Sequence, residues 1–317
     1  MKKLIILFAV ITLAACKHSN VSNKTVTITS TEVKETVAFL ASDDQMGRAT
    51  GTRGIDASST YIENKLKSYN IKPYYKTYRD SFKVKDLDAY NVVGFLEGTD
   101  PKLKDEVIII GAHYDHIGTK AKPVENDSIA NGANDNAAGT SAVLAAARYF
   151  GIKKSNKRSL MFVLFSAEEM GLLGSKHLAQ KLKNENLNLY TVVNIEMVGA
   201  PMNEKDFIAY LTGHNLSNMS EKFNEYSENS NFIGFYEMAE TYNLFKRSDN
   251  YPFFEAFNVP AQTLATSDEY KHYHQVSDEV DKLDYEHMAG VINMLITVVE
   301  KMSTTPSQEI KMTVENE

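Results

Sequence analysis

The stretch VIIIGAHYDH at residues 107–116 joins a strand-like apolar run to side chains that bind metals. Farther along the chain, further apolar runs alternate with amphipathic segments. The runs are 160–165, 191–196 and 259–264, and the amphipathic segments are 137–150, 172–182 and about 285–301. This alternation predicts an α/β fold, a three-layer sandwich in which helices flank a mixed, largely parallel central sheet. Two more helices are expected on either side of the glycine-rich turn at 47–54.

The composition indicates one globular domain. Of the 317 residues, 43% are hydrophobic, which is enough for a large core. Neither a repeat nor a linker-like composition interrupts residues 31–303, so we predict a single domain there, followed by a polar C-terminal tail at 304–317. The formal charge of −7 and the lack of clustered lysine and arginine argue against nucleic acid as a partner.

The first 16 residues have the pattern of an export signal. Two lysines precede an apolar run, Leu4 to Ala15, that is too short to span a bilayer as a helix. The sequence LAAC at 13–16 resembles the lipobox of bacterial lipoproteins, in which the cysteine is acylated and becomes the new N-terminus. We therefore expect a signal peptide at 1–16 and lipidation of Cys16, the single cysteine. An unmodified residue after an ordinary cleavage site is the alternative.

This interpretation of the N-terminus also predicts a location. Residues 17–30 are polar and poor in large apolar groups, which favours a flexible tether between membrane and domain. The mature protein is then expected in the bacterial cell envelope, at the periplasmic face or the cell surface. Contact with the membrane would be through the lipid alone.

Candidate metal ligands follow several of the predicted strands. They are His113 and Asp115 in GAHYDH, Asp135 in NGANDNAAG, Glu168 and Glu169 in FSAEEMGLLGS, Glu196 in NIEMVG, and His274 in YHQVSDEVDKLD. Ligands of open α/β sheets bind beyond the carboxyl ends of the strands, so these side chains are expected to converge. Imidazoles and carboxylates crowded together would repel each other without a cation. The donor types suit zinc, and a carboxylate able to bridge favours two ions about 3.5–4 Å apart.

Five ordered motifs resemble those of the zinc aminopeptidases with a co-catalytic metal pair, the bacterial leucyl aminopeptidase-like proteins. The motifs are GAHYDH, NGANDNAAG, SAEEMGLLGS, RSDNYPF and YHQVSDEVDKLD. The resemblance begins at LASDDQMGRATGTRG (40–54) and ends at DKLD (281–284), so it covers nearly the whole domain. The same family contains glutamate carboxypeptidases and glutaminyl cyclases. The resemblance implies a metal-dependent exopeptidase, preferably an aminopeptidase, with two Zn²⁺ that Co²⁺ or Mn²⁺ can replace and peptide substrates with a free N-terminus.

The resemblance also implies which residues hold the metals. His113 is expected to be a terminal ligand of the first metal, and Glu169 and His274 to hold the second. Asp135 is expected to bridge both ions. The last ligand of the first metal falls at Glu196, where the family commonly has Asp. The longer side chain must therefore fold back or bind with altered denticity.

Three further residues are expected to act in catalysis. Glu168 would be the general base that activates a metal-bound water and later protonates the leaving amine. Asp115 is expected to fix the tautomer of the His113 imidazole, and Tyr273 to hydrogen-bond the developing oxyanion. The histidines without a place in the motif scheme are predicted to be surface residues. They are His116, His177, His272 and His287.

Two alternatives to an aminopeptidase stay open from the sequence. One is glutaminyl cyclisation or carboxy-terminal cleavage on the same fold, and a cyclase would need only one zinc. The other is an inactive, zinc-stabilised envelope protein that binds peptides, since fold does not fix function. The presence of both Glu168 and Asp135 favours an enzyme.

Overall fold

The computed structural model describes residues 26–124 and 126–313. The predicted signal peptide, Cys16 and most of the predicted tether lie outside the described residues. The helices are α1 (Ser30–Leu40), α2 (Arg53–Ser68), α3 (Gly139–Lys153), α4 (Leu173–Asn184), α5 (Met219–Ser227), α6 (Glu237–Thr241), α7 (Asn250–Phe257) and α8 (Tyr285–Thr304). Within these ranges, none of the helices combines the length and the apolar character needed to cross a membrane.

The strands alternate with these helices along much of the chain. They are β1 (Lys72–Pro73), β2 (Arg79–Val84), β3 (Leu87–Leu96), β4 (Val107–His113), β5 (Gly118–Val124), β6 (Asp127–Ala130), β7 (Ser159–Phe165), β8 (Leu189–Glu196), β9 (Ala209–Leu211), β10 (Ile233–Gly234) and β11 (Ala261–Ala265). The longer apolar runs and amphipathic segments of the sequence are therefore confirmed as strands and helices. The short strands β1, β9 and β10 carry no periodic pattern long enough to predict.

Nine of the described strands form one mixed sheet in the order β1–β3–β7–β4–β8–β11–β9–β10, with β2 paired to β3. The four central strands β7, β4, β8 and β11 are parallel to one another. On either side of them, β3 and β9 run antiparallel to their inner neighbours. Strands β5 and β6 form a separate two-stranded sheet. The predicted mixed, largely parallel sheet is confirmed.

Strand β4 shows why the sheet is covered on both faces. Ile108 and Ile110 belong to a core that includes side chains of α1, α2, α3 and α8. Val107 and Ile109 belong to a second core with side chains of α4 and α7. Because successive side chains point to opposite faces, a strand between two helical layers is apolar at every position. The unbroken run VIII therefore reflects the three-layer architecture.

The polar segment after α8 packs against the domain and is not a free tail as far as residue 313. Ile310 is 2% exposed, and its main-chain N–H donates to the hydroxyl of Tyr190 at 2.8 Å. Met312 forms an isolated bridge with Ser217. The expectation of a polar tail at 304–317 overlooked this contact, because a single buried isoleucine gives no periodic signal.

Arg158 joins this C-terminal segment to the central sheet. Its fully buried guanidinium pairs with Glu106 at 2.6 Å and donates to the main-chain oxygens of Met302 and Thr305 at 3.1 and 2.6 Å. The last carbonyls of a helix have no partner within the helix. Arg158 therefore supplies hydrogen-bond donors to main-chain oxygens at the end of α8, next to the start of β7.

We expect Arg158→Met to lower the free energy of unfolding by about 3 kcal/mol, because it leaves Glu106 and the helix carbonyls without a partner. Urea denaturation followed by circular dichroism measures the loss. The matched control is Arg79→Met, which removes a pair with Glu63 whose side chains are 33% and 25% exposed. That change should cost at most about 1 kcal/mol, and equal losses at the two positions would contradict the assignment.

Candidate metal centre

The side chains predicted to bind metals meet at the carboxyl end of the central strands. His113 and Glu196 are the last residues of β4 and β8. The others lie in the connections that follow: Glu168 and Glu169 after β7, Asp135 before α3, and His274 after β11. The convergence expected from the sheet topology is therefore present.

A first donor cluster consists of His113, Asp135 and Glu196. The Nε2 atom of His113 lies 3.3 Å from Oδ1 of Asp135 and 3.0 Å from Oε1 of Glu196. The second carboxylate oxygen of Glu196 accepts a hydrogen bond from the hydroxyl of Ser248 at 2.9 Å. The extra methylene of this glutamate is thus accommodated by a side chain that turns one oxygen to His113 and the other to Ser248.

A second donor cluster consists of His116, Asp135, Glu169 and His274. The Nε2 atom of His274 lies 3.2 Å from Oδ2 of Asp135 and 3.1 Å from Oε2 of Glu169. The Nδ1 atom of His116 lies 3.6 and 2.9 Å from the same two carboxylates. The clusters share Asp135, which turns one carboxylate oxygen to each.

The spacing of these donor atoms fits zinc. Ligands on a tetrahedron with zinc bonds of about 2.0–2.2 Å lie about 3.3–3.6 Å apart, and the contacts above range from 2.9 to 3.6 Å. Oδ2 of Asp135 is buried and lies 3.6 and 3.2 Å from ring nitrogens of His116 and His274. Carboxylates crowded into a buried site repel one another, so the arrangement calls for a cation.

The backbone around Asp135 is held by another carboxylate. Asp278 accepts hydrogen bonds from the main-chain N–H groups of Asn134 and Asp135 at 2.9 and 3.0 Å, and from the hydroxyl of Tyr270 at 2.8 Å. Burial raises the pKa of Asp278, although these donors oppose that shift. This loop therefore presents Asp135 from a fixed main chain.

The group of Asp115 that lies nearest to the His113 imidazole is its main-chain oxygen, and the predicted orienting role of its side chain stays a prediction. Nδ1 of His113 lies 3.1 Å from the main-chain oxygen of Asp115, whereas the Asp115 carboxylate is 3.8 Å from the same nitrogen. A carbonyl oxygen only accepts, so this contact places the proton on Nδ1 and leaves Nε2 free to face the carboxylates. The His113 ring is thus oriented by a main-chain oxygen two residues later in the chain. The types of residue in the motif HYD do not reveal such a contact.

The Asp115 carboxylate instead holds the turn that carries the glutamate pair. Its two oxygens accept the main-chain N–H groups of Glu168 and Glu169 at 3.1 and 3.3 Å. Burial raises the pKa of Asp115 to about 6, and His113 opposes this shift. Asp115 is therefore a positioning residue, because it fixes the backbone from which Glu168 and Glu169 point into the cleft.

Glu168 lines the same cleft as both clusters. Burial raises its pKa well above the usual range, and Asp249 and Glu196 add to that shift while His113 opposes it. A carboxylate that accepts a proton readily beside a metal site is suited to general-base chemistry.

Arg48 is a fully buried cation behind the cluster. Its guanidinium donates to the main-chain oxygens of Tyr114, Leu40, Asn131 and Gly132 at 2.6–2.9 Å. Burial lowers its pKa to about 10, while nearby carboxylates, including Asp135, oppose the shift. The side chain thus joins the backbone that precedes His116 to the backbone that precedes Asp135.

His116 is the site residue that motif matching missed. The prediction that it lies on the surface is wrong, because it is 1% exposed and faces Asp135 and Glu169. The position of His116 in the chain, three residues after His113 and next to Asp115, is the sequence feature that could have indicated its place in the site. The other three histidines outside the motifs, His177, His272 and His287, are half-buried and lie outside both clusters.

The remaining motif residues lie around the cleft. The Tyr273 ring is 41% exposed and stacks on the His274 ring with centroids 3.9 Å apart. Burial and the carboxylates of Asp135, Glu169 and Glu196 raise its pKa, so its hydroxyl stays protonated and can donate. Asn250, by contrast, is buried, and its amide donates to the main-chain oxygens of Phe245 and Ala261.

A cleft of ≈ 500 Å³ opens over both donor clusters. Besides the acidic groups and histidines, a set of bulky side chains lines it: Met197, Tyr210, Tyr236, Met238, Tyr242 and Leu244. The charged groups at its edge include Arg247, Asp268, Glu269 and Lys271. Most of the apolar wall comes from the segment between β8 and β11. No pattern in the sequence predicted that this segment lines a pocket.

Residues 91–299 match the profile of Peptidase family M28. That match spans more than half of the chain, and it includes every residue of both donor clusters. The protein belongs to peptidase family M28.

Curated relatives and solved structures agree with this family. A probable zinc metalloprotease from Pyrenophora teres f. teres is 38% identical over 113 residues, which are 36% of this chain and 23% of that protein. The aminopeptidase YwaD from Bacillus subtilis is 27% identical over 234 residues, which are 70% of this chain and 48% of that protein. The chain thus spans about a quarter to a half of the length of the curated relatives it matches.

The fold is shared with solved aminopeptidases. The LapA aminopeptidase of Legionella pneumophila superposes with a TM-score of 0.68 at 21% identity, covering 88% of this chain and 73% of LapA. Glutaminyl cyclases are among the other solved structures with this fold. At such identities the likeness confirms the α/β sandwich and leaves the reaction open.

We expect Asp115→Asn to weaken zinc binding about 10–100-fold, the usual cost of losing a group that supports the ligands. The amide oxygen can replace only one of the two carboxylate oxygens, so the main chain at either Glu168 or Glu169 loses its hydrogen bond. Competition with a chromogenic chelator measures the affinity. Asp86→Asn, at an exposed position in the turn between β2 and β3, is the control and should bind zinc like the unchanged protein.

Proposed function

We propose that the protein is a zinc-dependent aminopeptidase with a co-catalytic pair of zinc ions. The observation that carries the proposal is the shared carboxylate of Asp135, with one oxygen 3.3 Å from His113 and the other 3.2 Å from His274. The M28 match and the similarity to a curated aminopeptidase support it.

Each zinc ion has its own donors in this proposal. His113 and Glu196 would hold the first, Glu169 and His274 the second, and Asp135 both. When bound, such a pair polarises a carbonyl and lowers the pKa of a water at neutral pH. Both donor clusters are complete in the sequence, which argues against the one-zinc cyclase reaction.

Glu168 is the proposed general base. It takes a proton from the attacking water and later gives a proton to the leaving amine, so that one water is consumed for each peptide bond broken. The Asp115 carboxylate keeps Glu168 in place through the main chain. Tyr273, whose raised pKa keeps the phenol protonated, donates to the oxygen of the scissile carbonyl as negative charge develops there.

The charge of the cleft favours a substrate with a free amino group. Glu196, Asp268 and Glu269 line it together with the metal-binding carboxylates. Arg247 and Lys271 are the cationic side chains among the described lining residues, and both are exposed. A carboxypeptidase binds the terminal carboxylate of its substrate through cationic side chains such as arginine, and carboxylates outnumber these in the described lining. The acidic groups suit an ammonium ion.

The apolar wall suggests a preference for a large apolar N-terminal side chain. Tyr210 is 4% exposed and Tyr236 8%, and their rings pack with centroids 4.8 Å apart. Met238 and Leu244 continue this wall. A bulky aliphatic or aromatic side chain would bury more apolar surface here than a small or charged one.

The variant Glu168→Gln should reduce kcat about 10²–10⁴-fold toward an aminoacyl reporter substrate while zinc content stays unchanged. Its amide keeps the shape of the side chain but cannot accept the proton. Glu221→Gln, at an exposed position on α5, is the matched control and should keep full activity. Full turnover by Glu168→Gln would rule out the proposed base.

Removal of zinc by a chelator should abolish turnover, and elemental analysis of the active protein should count two zinc ions per chain. A peptide with a free N-terminus should be cleaved, whereas its N-acetylated form should not, because an acetylated nitrogen carries no charge for the acidic groups to bind. One zinc per chain with cyclisation of N-terminal glutamine would replace the proposal by a cyclase. Zinc binding without any turnover would favour the inactive peptide-binding protein.

We also propose that the protein is exported and anchored by a lipid on Cys16. The proposal is supported by the basic start, the short apolar run and the sequence LAAC at 13–16. In cells fed a labelled fatty acid, the unchanged protein should take up label and sediment with membranes. Cys16→Ser should abolish both, and labelling of that variant would contradict a lipid on Cys16.

A further inference from the structure

The rings of His116 and His274 approach the same two carboxylates. Nδ1 of His116 lies 2.9 Å from Glu169 and 3.6 Å from Asp135, and Nε2 of His274 lies 3.1 and 3.2 Å from them. The two rings meet edge to face, with centroids 5.6 Å apart. One ligand atom from each of the four side chains lies within 4.8 Å of the others. The contacts between rings and carboxylates, 2.9–3.6 Å, lie around the separation of about 3.3–3.6 Å between ligands of a tetrahedral zinc ion.

The backbone fixes the His116 ring in this place. Gly132 has a φ of +57°, and a Cβ atom there would come within 2.5 Å of Cγ and Cδ2 of the His116 ring. The ring thus occupies the space that only glycine leaves open. Arg48 holds both sides of this contact. Its main-chain oxygen accepts a hydrogen bond from the main-chain N–H of His116, and its guanidinium donates to the main-chain oxygen of Gly132.

The two donor clusters are consequently unequal. The first offers three side chains, His113, Asp135 and Glu196, and Ser248 occupies the second oxygen of Glu196. The second offers four. Zinc sites with four protein ligands are closed and structural, whereas catalytic sites have three and keep a position open for water or substrate.

The two adjacent glutamates differ in their contacts. Glu169 faces His116 and His274. Glu168 belongs to neither donor cluster and lines the cleft that opens over both. Of the two, only Glu169 is therefore a candidate ligand.

We propose that His116 is a fourth protein ligand of the second zinc position, which makes that position closed and its zinc the more tightly held. The inference rests on the proposed zinc centre. The first zinc added to metal-free protein then fills the position with His116 and fixes Asp135. Turnover begins only when a second zinc fills the open position at His113 and Glu196.

Zinc titration of the metal-free full chain tests this order. The unchanged protein should bind two zinc ions in steps whose dissociation constants differ at least about 10-fold, and activity should follow the second step. Two equal steps, or activity that follows the first, would overturn the proposal. This measurement does not depend on the folding of any variant.

The variant His116→Asn separates ligation from hydrogen bonding. The asparagine amide can donate to Glu169 from nearly the position of Nδ1, but it is a poor zinc ligand. We expect it to weaken the tighter step at least about 100-fold, more than the loss of a supporting group. The visible absorption of bound Co²⁺ should change as well, because it reports the coordination number. His177→Asn, on α4 and outside both clusters, is the control.

Wild-type affinities and an unchanged cobalt spectrum in His116→Asn would show that His116 only hydrogen-bonds Glu169. Failure of the proposed function gives a different result. In that case the unchanged protein binds zinc in two unequal steps, and His116→Asn loses the tighter one, yet no peptide is cleaved. That outcome supports the assignment of His116 and refutes the aminopeptidase.

Discussion

Concentrated negative charge at the carboxyl edge of the sheet is the constraint on which the rest of the structure depends. Asp115, Asp135 and Asp249 are at most 2% exposed, and Glu168, Glu169 and Glu196 share their cleft. Each buried carboxylate costs several kcal/mol unless it is compensated. The protein uses main-chain N–H groups for Asp115, imidazoles for Asp135 and the buried cation Arg48 behind the cluster. Bound zinc would complete that compensation.

Arg48 also explains how charge compensation and geometry are combined. Its hydrogen bonds go to main-chain oxygens and not to carboxylates, so its charge stays available to the whole cluster while its donors hold two loops together. Those loops follow β4 and β6, and they carry His116 and Asp135. An ion pair with a single carboxylate would have neutralised that one group without fixing the distance between the loops.

The sequence predicts the fold more completely than it predicts the site. The unbroken run VIII predicts a strand covered on both faces. The side chains that the motifs name, His113, Asp135, Glu169, Glu196 and His274, lie close together in the structure. His116 was missed because its role depends on the loop held by Arg48 and on the space at Gly132, neither of which is visible as a pattern. The main-chain contact of Asp115 with His113 could not be predicted, because only the backbone conformation decides whether its carbonyl or its carboxylate lies nearer to the ring.

Chemistry and substrate selection come from different parts of the chain. The metal-binding groups stand at strand ends and in loops braced by Arg48, Asp115 and Asp278, so a shift of any one strains several hydrogen bonds. The apolar wall lies between β8 and β11, on the short strand β9, the five-residue α6 and the turn after it. The side chains of this wall lie outside both donor clusters, so they can change in size without removing a metal ligand. In the proposed aminopeptidase, the preferred N-terminal residue would therefore be decided in a part of the chain separate from the hydrolytic groups.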